Sequence, residues 1–348
     1  MLRPRTTSYT SRSLSILFLF AFPFLFAIFG FGQNPLNNEE RQRGIELYNQ
    51  QKYVAASDIL KKAVEHNKKD DEGWSYLGLA LLHQPKRIKE ASKAFETALK
   101  LRPNSGIAHV GLGYSFLIRN KSSDAVREAQ AALSIEPNIV DAHYIIGVAR
   151  LRAGAQEEAL QQAETAIKMD ANFASAYLLK SQALAGSSGE DVVVVKEQES
   201  PDARKSRYAQ AAEALENYLR LNPNAEEKHT WSDQLESLRF FGSSHTTGSG
   251  NDQVFSGKDV TTKARVLRKP EPRYTENARA AQITGTVVLR AVFAADGTVK
   301  HILVIKGLPY GLTEGSIKAA RQITFIPATI DGRPVSTFIQ LEYNFNLY

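Results

Sequence analysis

From residue 38 to residue 241 apolar side chains recur three or four positions apart, and small residues among them recur on a longer period. The stretch GWSYLGLALL places Trp74, Leu77 and Gly78 ahead of Ala91, Phe95, Ala98 and Pro103. AHVGLGYSFL places His109, Leu112 and Gly113 ahead of Ala125, Ala129, Ala132 and Pro137, and AHYIIGVARL places His143, Ile146 and Gly147 ahead of Ala159, Ala163 and Ala166. Pro103 to Pro137, Gly113 to Gly147 and Ala125 to Ala159 are each 34 residues. A 34-residue period of this kind predicts stacked antiparallel helix pairs, with small residues where two helices approach and a proline that stops the second helix. A degenerate first repeat is expected at about 38–69, and a fifth begins at Ala174 with Tyr177. The second helix of the fifth repeat is displaced to 208–221 by an insertion at 186–207, and 226–241 reads as a helix capping the array.

Beyond residue 263 the apolar period shortens to two. Residues 284–293 (TGTVVLRAVF) and 298–305 (TVKHILVI) read as strands joined at Ala294-Ala295-Asp296-Gly297, where glycine accepts a positive φ. Residues 312–322 read as an amphipathic helix with Ile317, Ala320 and Ile323 on one face and Thr313 as its N-cap. Residues 335–347 form a last strand after an Asp331-Gly332 turn, and 275–281 a short helix before the first strand. Between the two regions, 242–263 is rich in Gly, Ser, Thr and Asp and reads as a flexible linker. The expected class is mainly α with a separate α+β domain at 264–348, a three-stranded antiparallel sheet carrying two helices.

Charge changes this picture at both ends. The net charge is +6; residues 259–348 carry 12 basic and 7 acidic side chains, while 39–241 carry 27 and 29. Arg3, Arg5 and Arg12 precede an apolar run at 14–31, followed by Gly30-Phe31-Gly32 and the polar Gln33-Asn34-Pro35. This is the pattern of a secretory signal cleaved near Gly32, and the run is also long enough for a retained membrane anchor. Either reading places the remainder outside the cytoplasm, in the periplasm or on the periplasmic side of an inner membrane. No cysteine occurs, which removes disulfides, thiolate chemistry and cysteine-bound zinc.

The helical repeats resemble the tetratricopeptide repeat (TPR), a protein-binding solenoid. The resemblance implies a concave groove lined by Val110, Tyr114, Leu117, Tyr144 and Val148, an apolar and aromatic stripe suited to a peptide or partner helix; some of these side chains would instead pack against the neighbouring repeat. The C-terminal region, with PEPRYTENAR, GTVVLRAVFAADGTVKHILVIKG, GLTEGSIKAARQITFIPA and DGRPVSTFIQLEYNF in that order, resembles the C-terminal domain of TonB, the energy transducer of Gram-negative bacteria. That likeness implies that the TonB box of an outer-membrane transporter adds as a strand beside the last strand, here with Val335, Thr337, Ile339, Leu341 and Tyr343 as partner-binding residues. The family's Gln-Pro-x-Tyr-Pro element falls on Glu271-Pro272-Arg273-Tyr274-Thr275, so Pro272, Arg273 and Tyr274 join the candidate set, with Glu271 and Thr275 as departures. Tyr274 is expected either at the partner or packed under the sheet. The family's proline-rich rod and its Ser-x-x-x-His anchor pattern are both missing, since no histidine precedes His66.

No chemistry of catalysis competes with this reading. Walker, HExxH and GxSxG patterns are absent, and no Arg/Lys cluster interleaved with aromatics suggests nucleic acid. His109, His143 and His229 recur in register with Trp74 and Tyr177, which invites a metal site, but successive repeats hold them too far apart to converge, and a flat side chain packing between helices explains them. The expectation is a non-enzymatic protein without cofactor, metal or small-molecule substrate. Its partners would be a protein or peptide at the C-terminal domain, in support of transmembrane transport, and a second protein in the helical groove. The alternatives are an anchored transducer coupled to a proton-driven motor complex, or an envelope scaffold that binds no TonB box.

Overall fold

The computed structural model describes residues 35–187, 207–225, 228–243 and 253–347. The expected signal or anchor at 1–32, residues 188–206 of the insertion and residues 244–252 of the linker lie outside them. The chain divides into two compact units, 1–111 and 112–348, with the division inside a helix rather than at the composition change near 242–263.

The first unit holds α1 (Pro35–Asn49), α2 (Tyr53–His66), α3 (Asp71–Leu82), a 3₁₀ turn (Pro85–Arg87), α4 (Ile88–Leu101) and the start of α5 (Gly106–Ile118). Asp70 caps α3 by accepting from Gly73 N at 2.9 Å, and it also takes Arg41 Nη1 at 3.0 Å. Fully buried Phe95 fills the space that glycines leave: a Cβ at Gly78 or Gly111 would stand 2.7 or 2.2 Å from its ring. The repeat's small residues are therefore a packing requirement. Tyr53 stacks on His83 at 3.6 Å beside Tyr48 and Tyr76, and burial, as the main cause, pushes the His83 imidazole down to about 4.

The second unit continues with α6 (Ser122–Ile135), α7 (Val140–Arg152), α8 (Gln156–Met169), α9 (Ala174–Ser187), α10 (Arg207–Leu221) and α11 (Lys228–Gly242). Ala125, Ala129, Ala132, Ala159, Ala163 and Ala166 are fully buried on the second helices of their repeats, and Leu179 occupies the space that Gly147 opens. The sheet domain follows: β1 (Val254–Phe255), β2 (Arg265–Arg268), α12 (Glu276–Ala280), β3 (Gly285–Phe293), β4 (Val299–Lys306), α13 (Leu312–Arg321), β5 (Thr324–Ile326), β6 (Ala328–Ile330) and β7 (Arg333–Phe345).

The three predicted strands are β3, β4 and β7, antiparallel in the order β7-β3-β4. The sheet is larger than expected. β1 lies parallel to β7, β6 forms a hairpin with it, and β2 and β5 make a separate two-stranded ribbon. These additions run two to four residues, too short for a period to register. β1 comes from the segment expected to be a flexible linker, where Val254 is an apolar residue that the sheet buries. The β6–β7 hairpin turns on Asp331 and Gly332 at φ 50° and 80°, the geometry that an Asp-Gly pair favours.

α12 is capped by Thr275, whose hydroxyl accepts from Ala278 N at 3.2 Å. Thr313 does not cap α13; Gly311, at φ 79°, holds that position. Thr313 Oγ1 instead accepts from Leu308 N and donates to Leu308 O, both at 2.8 Å, which pins the 306–311 loop. The expected apolar face of α13 is buried: Ile317, Ala320 and Ile323 pack with Ile283, Leu289 and Leu312, and Phe293 stacks on Phe325 at 4.0 Å.

Candidate functional site

β7 has two neighbours along its length and then only one. Residues 337–345 pair with β3 on the inner side. Residues 333–335 pair with β6 in the hairpin, and on the side away from β3 Ser336 and Thr337 are closed by β1. From Phe338 to Phe345 the outer main-chain edge has no strand partner among the described residues. Lys269 Nζ donates to Glu342 O at 2.6 Å, which marks Glu342 as facing outward. Main-chain groups alternate sides along an antiparallel strand, so Gln340 and Asn344 share that edge.

The five nominated strand residues are thus not equivalent. Val335 pairs with Ala328 and Thr337 with Phe255, where the chain already occupies the position. Ile339, Leu341 and Tyr343 lie along the open stretch, but Leu341 and Tyr343 turn their side chains into the core. A partner strand meets main chain there, flanked by the exposed Gln340, Glu342 and Asn344. Tyr343 is 1% exposed, and its hydroxyl has no hydrogen-bond partner among the described residues. Burial, with Glu271 adding to it, pushes that phenol up to about 12. Lys269 sits 4.5 Å over the Tyr343 ring.

Of the other candidates at this end, Tyr274 packs under the sheet. Its ring meets Phe345 edge-on at 5.8 Å and its hydroxyl donates to Ile283 O. Arg273 is exposed and Pro272 half-buried. Tyr274 therefore holds the 270–275 segment against the end of β7 through the core.

The opposite sheet edge, β4, is covered by helices of the repeat array. Gln234 of α11 reads its main chain twice, donating from Nε2 to Ile302 O at 2.9 Å and accepting at Oε1 from Val304 N at 2.7 Å. Ser237 adds a longer bond to Ile302 O, at 3.4 Å. Phe240 stacks on His301 at 3.6 Å, Arg321 pairs with Asp233 at 2.7 Å, and Leu303 is buried among Leu215, Leu238 and Tyr218. Arg290 of β3 donates to the Tyr208 hydroxyl of α10.

This docking places the 306–311 loop opposite the candidate groove. Tyr144 and Val148 line a cleft of about 430 Å³ whose other wall is that loop with Thr313 and Glu314. Tyr310 donates to Ile118 O at 3.0 Å, and Arg152 donates to Leu117 O, so the last carbonyls of α5 are satisfied from α7 and from the sheet domain. Withdrawal from water pushes the Arg152 guanidinium down and the Tyr144 and Tyr310 phenols up. Tyr114 bonds Asp141 at 2.8 Å and leans on Tyr144, while Leu117 and Val110 are buried packing residues. Sequence reasoning missed Gln234, Tyr310 and Arg152. The one signal for Gln234 is a polar residue within the apolar run Trp231, Leu235, Leu238.

The in-register histidine position has a structural use. Trp74 Nε1 reaches Lys68 O at 3.1 Å, His109 Nε2 contacts Pro103 O at 3.1 Å, and Tyr177 Oη donates to Ala171 O at 3.2 Å, in each case six residues back. A half-buried ring with a polar tip ties each repeat to the turn before it. His143 instead contacts Gln162 Oε1 at 2.8 Å, and His229 lies near Asp233. Among the described residues no group of three or more His, Asp or Glu side chains is placed to hold a metal.

Comparison with known families assigns both regions. The Gram-negative bacterial TonB protein C-terminal model matches residues 270–347, and the tetratricopeptide repeat model matches 86–138 and 119–174. No curated relative matches the chain. Among solved structures, the APC/C hetero-tetramer Cut9–Hcn1 matches at TM-score 0.50 and 15% identity, over 58% of this chain and 37% of that one, and shows the helical fold alone. A thermophilic TPR protein of Thermus thermophilus matches at TM-score 0.46 and 14% identity (58% of this chain, 98% of that one). YrrB, a TPR protein with an unusual peptide-binding site, matches at TM-score 0.38 and 19% identity (56% and 90%). The repeats and the C-terminal domain are both protein-interaction modules.

Proposed function

We propose that this chain, in which tetratricopeptide repeats precede a TonB C-terminal domain, is a non-enzymatic protein of the Gram-negative periplasm that takes an extended peptide along β7. The peptide is the TonB box of an outer-membrane transporter, and the chain acts in support of transmembrane transport. The observation that carries this reading is the outer edge of β7 from Phe338 to Phe345, unpaired among the described residues and continuing an edge to which β1 has already added a strand. An extended segment that follows β1 along the edge gains main-chain hydrogen bonds without displacing any described strand. Lys269, which holds Glu342 O, is the group it must replace. The cleft beside Tyr144 and Val148 serves the second partner, which has to compete with the 306–311 loop.

The test is a titration of the full chain with a synthetic TonB-box peptide, followed by amide chemical shifts. Perturbations confined to 338–345 and 269, lost in Gln340→Pro, support the reading. Saturating peptide without shifts in β7 would falsify it. The periplasmic placement is tested separately by the N-terminal residue and fractionation of the mature protein. A chain beginning near Gln33 in the soluble periplasm is the expected result, and an intact Met1 in the inner membrane would turn the reading toward an anchored transducer.

A further inference from the structure

The β2–β5 ribbon stands apart from the main sheet and shows a different surface. Arg265 pairs with Ile326, Val266 with Phe325 and Arg268 with Thr324, with a bulge between Val266 and Arg268. Phe325 turns inward onto Phe293, so its neighbours Thr324 and Ile326 turn outward. Paired residues share a face, which sets Arg265 and Arg268 beside Ile326 on the outside. Leu267 is 59% exposed, Ile326 44% and Val266 43%, three of the seven exposed large apolar side chains among the described residues.

Around them the charge is one-sided. Residues 263–273 contain five cations and one carboxylate. Lys263, Arg265, Arg268 and Arg273 form no ion pair among the described residues, while Lys269 is engaged at β7. Val266, paired with Phe325, belongs to the opposite face. Apolar side chains exposed singly are ordinary, but Leu267 and Ile326 together, among cations that form no ion pair among the described residues, mark an interaction surface.

Three features argue against another strand as its occupant. The edge of β2 is four residues long, and it is bulged and carries arginines, which are devices that block edge-to-edge pairing. What remains is a face on which apolar side chains alternate with cations. An anionic bilayer complements both, with Leu267 and Ile326 entering the headgroup boundary and the cations lying over phosphates. We propose that the outward face of the β2–β5 ribbon, with Arg265, Leu267, Arg268 and Ile326, binds an anionic phospholipid surface.

The experiment is flotation of the full chain with phosphatidylglycerol–phosphatidylcholine vesicles and with phosphatidylcholine vesicles alone. The variant Lys263→Gln/Arg265→Gln/Arg268→Gln is compared with the native chain; the N-terminal arginines are the same in both. With about a fivefold gain in partition per cation, the triple variant loses about a hundredfold on anionic vesicles and is unchanged on neutral ones. Leu267→Ser/Ile326→Ser loses several-fold, and raising the salt from about 0.1 M to about 0.5 M weakens the native chain on anionic vesicles. Equal binding of native chain and triple variant to anionic vesicles overturns the proposal, as does a salt-independent ratio of anionic to neutral binding in the native chain. Equal vesicle binding together with capture of a polyglutamate peptide by the native chain alone would put an acidic protein in the bilayer's place. Peptide shifts at 338–345, measured on the same variants, report on β7 independently of this face.

Discussion

The two edges of the C-terminal sheet solve the same problem in opposite ways. A strand at the edge of a sheet leaves main-chain donors and acceptors unpaired. On β4 they are met by side chains from α11, with Gln234 serving both a carbonyl and an amide and Leu303 buried among helices. On β7 they are met by β1 at Ser336 and Thr337 and by Lys269 at Glu342, and from Phe338 onward by no other strand among the described residues. A sealed edge ties the sheet to the repeats and an open one is available to a partner. The comparison teaches that a sheet's binding capacity is set by what its neighbours cover.

The sharpest way to break the contrast is to unseal β4. Leu303→Ala removes a 1%-exposed side chain from the helix-facing wall and should lower stability by about 2–5 kcal/mol, read from chemical denaturation. Gln234→Ala leaves the part-buried Val304 N without its acceptor and Ile302 O with only the longer bond from Ser237. We expect a loss of about 2 kcal/mol, with hydrogen exchange accelerated at the Val304 amide and little changed in β7. If exchange rises equally in both strands, the edges are not independent.

On the open side, Gln340→Pro removes an outward N–H and should weaken peptide binding by about tenfold or more, about 1.4 kcal/mol, with the thermal midpoint nearly unchanged. Leu341→Pro, which breaks the inner ladder, should unfold the domain instead. The smallest effect is expected at Tyr343→Phe. Removing a buried hydroxyl that has no partner among the described residues should leave stability unchanged or raise it by up to about 1 kcal/mol. The native phenol sits at about 12 against an ordinary value near 10, so the folded state holds its proton longer than the unfolded chain. Its contribution is fully present below pH 10 and falls away as pH rises from about 10 to about 12. That slope should vanish in Tyr343→Phe.

Much of this molecule is legible in the order of its residues. The 34-residue period, the glycines at 78 and 147 and the buried alanines at 125, 159 and 163 announce helix pairs, because close helix approach admits only small side chains at those positions. Alternation gives β3 and β7 for a similar reason, since one face of each must be apolar, while β4 shows as the apolar run 302–305, which is buried toward the sheet core at Ile302 and toward the helices at Leu303. β1, β5 and β6 escaped notice because two or three residues carry no period. Thr313 looked like a cap because a hydroxyl near a helix start usually is one; here Gly311 takes that place and the hydroxyl holds the preceding loop.

The strand nominated for a partner could be named before its edges were known, but not which of its residues are open. The resemblance to TonB pointed to the last strand, but it could not tell that Val335 and Thr337 already have partners in β6 and β1 while the outer edge from Phe338 onward has none among the described residues. Nor could it separate Tyr274 at a partner from Tyr274 under the sheet, which its contact with Phe345 decides.

By itself, then, the sequence determined the helix pairs, the three long strands and the absence of cysteine chemistry, because each follows from local spacing or residue identity. Which edge of the sheet is closed, where Gln234, Tyr310 and Arg152 act, and which stretch of β7 stays open were decided only in three dimensions. These depend on contacts between residues as much as 192 positions apart, as Tyr310 and Ile118 are, and no local pattern records what will arrive from so far along the chain.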